Sequence, residues 1–113
     1  MKLPDAARAV VDEAKIRAYL LSSEHPVGRF KSRVFNAVGY RHDSWHVLQD
    51  DLRSLALDIE VSLGAFDEHG RRYVGVGVLI GPSGAPLPIV TVWLIPSEGD
   101  PPRLITAYPG TDL

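Results

Sequence analysis

The fold is decided by the stretch from Asp43 to Ile80, which reads DSWHVLQDDLRSLALDIEVSLGAFDEHGRRYVGVGVLI. Before Leu57 its apolar residues recur every three or four positions, which is the period of an amphipathic helix. After Ser62 the pattern changes to period two, which is typical of a β-strand with one buried face. The stretch therefore predicts a helix that leads directly into a sheet.

The chain before this stretch adds two predicted helices. The first begins at Asp12, a good N-cap residue, and ends at Leu21. The second covers about Arg29–Val38 and ends at Gly39, a residue type that commonly terminates helices. The helix that follows Asp43 is the third. Its apolar stripe consists of Trp45, Leu48, Leu52, Leu55 and Ile59.

The back half of the chain predicts four strands, near residues 62–67, 72–80, 89–95 and 104–108. The turn-rich connections between them are short, which favours antiparallel pairing because parallel strands need a longer crossover. The predicted fold is therefore α+β, with two or three N-terminal helices packed on one face of a four-stranded antiparallel sheet.

The second strand has two different faces. One carries β-branched side chains, which we expect to pack under the helices, and it consists of Val74, Val76, Val78 and Ile80. The other includes Gly75 and Gly77, which leave room for a closely packed backbone or for a ligand.

The length of 113 residues and the apolar fraction of 45% predict a single globular domain over 1–113, with a helical half at about 1–60 and a sheet half at about 61–110. The chain has no cysteine, so it has neither a disulfide framework nor a thiolate nucleophile. It contains no run of about 20 apolar residues and no recognisable signal peptide, so we expect no membrane association and a cytoplasmic location.

Charge is distributed unevenly although the net charge is only −2. Residues 1–45 hold eight Lys or Arg against five Asp or Glu, whereas residues 46–70 hold one against six. This distribution predicts a basic patch that suits a small anionic target and argues against DNA binding. The acidic segment is suited to a basic protein partner.

The segment EHPVGRFKSRVFNAVGY, residues 24–40, carries the candidate chemistry. His25 lies in a loop before a helix, where backbone N–H groups attract anions. Arg29, Lys31 and Arg33 follow within the first turns. A histidine can exchange a proton near neutral pH, so the cluster predicts a phosphate-handling site. A solvated turn, with His25 as a helix cap and Lys31 as a solvated lysine, explains the same pattern.

Four segments together resemble an uncharacterised family of small bacterial domains that occur alone and as C-terminal modules of polymorphic toxins. They are LPDAARAVVDEAKIRAYLL, the segment 24–40, GRRYVGVGVLIGPSG and TVWLIPSEGDPPRLITAYP. More remotely, helices followed by a four-stranded sheet are similar to the ribonuclease superfamily of barnase, EndoU, colicins and RelE-type toxins. The resemblance implies a metal-independent endoribonuclease, without cofactor, that acts on tRNA or mRNA and is neutralised by an antitoxin.

The resemblance also implies which residues form the site. Its motif places His25 and Lys31 in the catalytic set, together with Thr106 and Tyr108, which lie two apart on one strand face. The predicted substrate-binding residues are Gly28, Arg29 and Arg33. For Tyr108, packing at the sheet edge is the favoured alternative.

Two further interpretations concern other classes of function. A non-enzymatic interaction module, such as an antitoxin or immunity-type partner, would use an exposed sheet face or the acidic segment. His42 and His46 are four residues apart and suit a shared helix face, but the glutamate of the H-E-x-x-H zinc motif is missing. We therefore expect no metal site.

Overall fold

A computed structural model describes residues 1–111 of the chain; residues 112 and 113, which the predicted domain includes, lie outside the described residues. Three helices come first, namely α1 (Glu13–Lys15), which continues into a π-helical turn (Ile16–Leu20), α2 (Gly28–Ala37) and α3 (Trp45–Asp58). The strands are β1 (Glu60–Asp67), β2 (Gly70–Ile80), β3 (Pro86–Ile95) and β4 (Arg103–Pro109).

The four strands form one sheet in the order β1-β2-β3-β4, and every neighbouring pair is antiparallel. The short turns between consecutive strands produce this meander, as expected for connections too short for a crossover. The predicted α+β fold, with the helices preceding the antiparallel sheet, is confirmed.

The core lies between the helices and one face of the sheet, here called the inner face. Leu48 and Leu52 of α3 and Phe35 of α2 are fully buried there. The sheet contributes Ile89 and Trp93 of β3, which are also fully buried. The stripe predicted for the third helix is thus largely a core stripe, and apolar burial of this kind is the main stabilising term of the fold.

The prediction that the β-branched face of β2 packs under the helices is wrong, because the glycine face is the inner one. A Cβ atom added to Gly75 would lie 2.6 Å from Cδ1 of Ile59, and one added to Gly77 would lie 3.0 Å from Cδ1 of Leu55. On the opposite face, Val78 is 52% exposed. The absence of side chains on the glycines lets the end of α3 approach the sheet closely. Alternation shows which residues share a face but not which face is covered.

The chain before α1 lies along the start of β4. The N–H of Leu104 donates to the carbonyl of Val10, and the N–H of Val10 donates to the carbonyl of Pro102. Asp12 occupies the N-cap position as predicted, but its side chain makes no capping hydrogen bond and pairs with Arg103 instead. These contacts hold α1 and the π-helical turn beside β4, which is an edge strand.

Candidate functional site

Lys31 joins three elements at the edge of the sheet. Its ammonium donates hydrogen bonds to the hydroxyl of Tyr19 in the π-helical turn, at 2.6 Å, and to the hydroxyl of Thr106 in β4, at 2.8 Å. A charged donor makes stronger hydrogen bonds than a neutral one, so the three side chains hold one another in place. Lys31 and Thr106, two residues of the predicted catalytic set, are thereby in direct contact.

Gly28 lets α2 come close enough to the π-helical turn for Lys31 to reach Tyr19. A Cβ atom on Gly28 would lie only 2.0 Å from the carbonyl oxygen of Tyr19, so only glycine fits against the π-helical turn. The turn itself is closed by the N–H of Leu21 donating to the carbonyl of Ile16, five residues earlier, at 2.8 Å. Such π-helical turns are rare and frequently occur at functional sites. Gly28 is buried, so its contribution to the site in this structure is close packing.

His25 acts as a cap for α2. Its Nδ1 accepts hydrogen bonds from the backbone N–H groups of Val27 and Gly28, both at 3.0 Å. The neutral ring therefore carries its proton on Nε2, which leaves that N–H as the donor for a ligand. The imidazole also meets the Tyr19 ring edge-on, with centroids 4.9 Å apart. The hydrogen bonds of the capping interpretation are therefore present in the structure, and the catalytic role of His25 stays a prediction.

A cavity of about 690 Å³ opens beside this network and is lined by Lys15, Tyr19, His25, Lys31 and Thr106 among others. No Asp or Glu of residues 1–111 lines it. Within the same residues, neither lysine forms an ion pair with a carboxylate. Two ammonium groups without a nearby carboxylate make this cavity attractive to an anion.

The pKa of the Tyr19 hydroxyl lies below its ordinary value. Partial burial acts to raise this pKa, but hydrogen bonding with Lys31 and Thr106 and the charges of Lys31 and Lys15 together outweigh it. The Lys15 and Lys31 ammonium groups lie 5.4 Å and 4.6 Å from the centroid of the Tyr19 ring. A phenol whose pKa is lowered by cations gives up its proton more readily, which suits proton transfer.

Sequence reasoning missed Tyr19 because it lies on the apolar stripe of the first helix, between Ile16 and Leu20. These two neighbours are fully buried, whereas Tyr19 is only partly buried. The available indication was a hydroxyl on an otherwise apolar stripe, since a tyrosine hydroxyl next to a core usually has a hydrogen-bond partner.

The remaining predicted residues are not all brought together. Tyr108 borders the network, with its ring centroid 5.9 Å from the Lys31 ammonium. Arg29 and Arg33 are exposed and lie against the ring of Phe30, outside the cavity lining. The structure therefore assembles part of the predicted catalytic set around Lys31 and leaves the two arginines on a neighbouring surface of α2.

Fold and site together define a small α+β domain that holds two lysines, a tyrosine, a histidine and a threonine around an open cavity at a sheet edge. The chain belongs to the domain family of unknown function DUF6883, whose model matches residues 2–111.

One solved structure with a similar fold is a chain of the contact-dependent growth inhibition toxin–immunity protein complex from Klebsiella pneumoniae 342. The TM-score is 0.71 at 19% identity, over 97% of this chain and 100% of that one. At this identity the likeness establishes a shared fold. No curated protein matches the sequence. Among the helices of residues 1–111, none has the length and apolar character needed to cross a bilayer.

Proposed function

We propose that this domain is a toxin-like, metal-independent endoribonuclease that cleaves a cytoplasmic RNA, such as tRNA or mRNA, and is neutralised by a cognate protein partner. The observation that carries the proposal is the Lys31 ammonium, held by two hydroxyl groups beside a cavity whose lining includes a second lysine and no carboxylate among the described residues. The fold shared with a chain of a toxin–immunity complex supports the same class of function.

The reaction needs three things that this cavity can supply. A base removes the proton of the 2′-hydroxyl, whose oxygen attacks phosphorus; the bond from phosphorus to O5′ breaks, and O5′ takes up a proton. The products are a 2′,3′-cyclic phosphate and a free 5′-hydroxyl. Negative charge grows on the non-bridging oxygens during this step, and preorganised cations stabilise it.

The geometry suggests a role for each side chain. Lys31 and Lys15 bind the non-bridging oxygens, since both ammonium groups face the cavity without a competing carboxylate among residues 1–111. The phenolate form of Tyr19, which the neighbouring Lys31 and Lys15 ammonium groups favour, accepts the proton of the 2′-hydroxyl. The Nε2–H of His25 hydrogen-bonds to a non-bridging phosphate oxygen, O5′ takes its proton from water, and Thr106 fixes Lys31. Tyr108 borders this set, and none of these roles requires a metal ion.

The proposal is tested by incubating the purified domain, free of any partner, with total RNA in EDTA. We expect cleavage products that end in 2′,3′-cyclic phosphate. Lys31→Ala and Tyr19→Phe should lower the rate by about 10²–10⁴-fold, the usual effect of losing one acid/base or electrostatic group. Lys2→Ala and Tyr73→Phe remove the same chemical groups outside the cavity lining and should leave the rate unchanged. Intact RNA with the wild-type domain, both as free RNA and on ribosomes, would refute the proposal.

A second candidate function is a non-enzymatic interaction module of the immunity type. The observation that favours it is the outer face of the sheet, where Val76, Val78 and Ile80 are 36%, 52% and 61% exposed. Rows of exposed apolar side chains commonly mark protein interfaces. Under this alternative, expression of the domain alone does not slow growth, and Val78→Asp abolishes partner binding while Lys31→Ala leaves it intact.

A further inference from the structure

Phe30 is an exposed aromatic residue set between two arginines on α2. Its side chain is 54% exposed, and the guanidinium carbons of Arg29 and Arg33 lie 4.9 Å and 5.7 Å from its ring centroid. Among residues 1–111, neither arginine pairs with a carboxylate. The segment 25–42 contains four Lys or Arg and no Asp or Glu, so nothing in this part of the sequence neutralises them.

Cation–π contacts at exposed sites stabilise a fold only slightly, so the domain itself gains little from this arrangement. Burying a phenylalanine would stabilise the fold, but this ring remains in water. Two guanidinium groups at one ring also repel each other. A ligand that combines a flat π-face with negative charge on either side would satisfy all three side chains, and a nucleotide within a strand has both.

We propose that Phe30 is a stacking platform for an unpaired RNA base next to the cleaved phosphate, with Arg29 and Arg33 binding the flanking phosphates. This inference rests on the proposed function and narrows its substrate to single-stranded RNA segments, such as loops. In a duplex, neighbouring base pairs already cover both faces of a base, whereas unstacked bases can stack on aromatic side chains.

The position of Phe30 suits such a substrate. Phe30 precedes Lys31 directly, so their Cα atoms are about 3.8 Å apart and their side chains diverge by about 100° around the helix. Lys31 points into the cavity while Phe30 points to the adjacent surface. One RNA strand can therefore place a phosphate at Lys31 and a neighbouring base on Phe30.

The chain contains a matched control for this site. Phe66 in β1 is 71% exposed and lies 4.7 Å from the guanidinium carbon of Arg71. It has the same pairing of ring and cation, but the carboxylates of Asp67 and Glu68 offset the charges of Arg71 and Arg72, so this surface attracts RNA less than the segment 25–42 does. Phe66→Ala thus removes an equivalent exposed ring without touching the proposed platform.

The test compares the wild-type domain, Phe30→Ala, Phe30→Trp and Phe66→Ala. Binding is followed with a single-stranded 2′-O-methyl oligoribonucleotide that contains 2-aminopurine; the methyl group blocks cleavage, and stacking quenches the fluorescence. Loss of one stacked base should weaken binding of Phe30→Ala by about 5- to 140-fold. We expect Phe30→Trp and Phe66→Ala to bind and quench as the wild type does. Cleavage of unmodified RNA by Phe30→Ala should show a raised KM with kcat little changed.

The outcomes separate this inference from the proposed function. If the wild type cleaves RNA while Phe30→Ala binds, quenches and cleaves equally well, the platform is refuted and the ribonuclease stands. Equal losses in Phe30→Ala and Phe66→Ala would also overturn it, since the effect would not belong to this site. If Phe30→Ala keeps RNA binding but no longer binds the neutralising partner, the surface is a protein interface and the platform is refuted. A wild type that neither binds nor cleaves RNA overturns both.

Discussion

Replacing Gly28 by alanine tests whether close packing at the start of α2 builds the site. The new Cβ atom would lie 2.0 Å, 2.7 Å and 3.1 Å from the carbonyl oxygen, carbonyl carbon and Cα of Tyr19. Ordinary contacts between such atoms are about 3.5–4.0 Å long, so α2 and the π-helical turn must move apart by at least about 1 Å. Overpacking typically costs about 1–3 kcal/mol, and here the obstacle is backbone rather than a flexible side chain.

We therefore expect Gly28→Ala to lower the free energy of unfolding by about 2–3 kcal/mol, even after the better helix propensity of alanine is counted. Movement of the turn should also break the contact between Tyr19 and Lys31 and reduce any RNA cleavage. Chemical denaturation followed by circular dichroism measures the first effect.

The control for this experiment is Gly77→Ala. Its Cβ atom would lie 3.0 Å from the end of the Leu55 side chain, which can move aside, and 3.6 Å and 3.7 Å from Cδ1 and Cγ1 of Ile59, which are ordinary contacts. Because glycine within a strand is itself unfavourable by roughly 0.5–1 kcal/mol, this variant should be close to wild type or slightly more stable. If Gly28→Ala is as stable as Gly77→Ala to within about 0.5 kcal/mol, the packing explanation fails.

Two other predictions concern the core and the pH dependence of stability. Leu52→Ala should lower the free energy of unfolding by about 2–5 kcal/mol because Leu52 is fully buried. Val78→Ala on the outer face should change it by about 0.5 kcal/mol or less. Equal effects of the two variants in denaturant titrations would contradict the assignment of the faces. Burial and the neighbouring Asp51, to which its hydroxyl donates, raise the pKa of Tyr40 well above its ordinary value. The unfolded chain then loses the Tyr40 proton from about pH 10 upwards while the folded chain keeps it, so stability falls there by up to about 1.4 kcal/mol per pH unit. Tyr40→Phe should flatten this fall between about pH 9 and pH 11, and an unchanged slope would show that Tyr40 does not cause it.

The order of the elements could be predicted because it depends on local periodicity. The predicted strand near 72–80 corresponds to β2, which spans Gly70–Ile80, and the helix after Asp43 corresponds to α3. Short turns then leave antiparallel pairing as the available topology. The split of the first helix into α1 and a π-helical turn, against whose Tyr19 carbonyl Gly28 of α2 packs, was not predicted.

The sequence by itself determined the α+β class, the order of helices and strands, and a cationic segment around Lys31. Only the tertiary structure decided that the Gly75 face of β2 is covered, that Tyr19 reaches Lys31 and Thr106, and that Arg29 stays outside the cavity. Periodicity is a property of neighbours along the chain, so it determines the type of each element and which residues share a face. Contact between residues 12 or 75 positions apart depends instead on how closely elements pack, and here a missing side chain at Gly28 sets that distance.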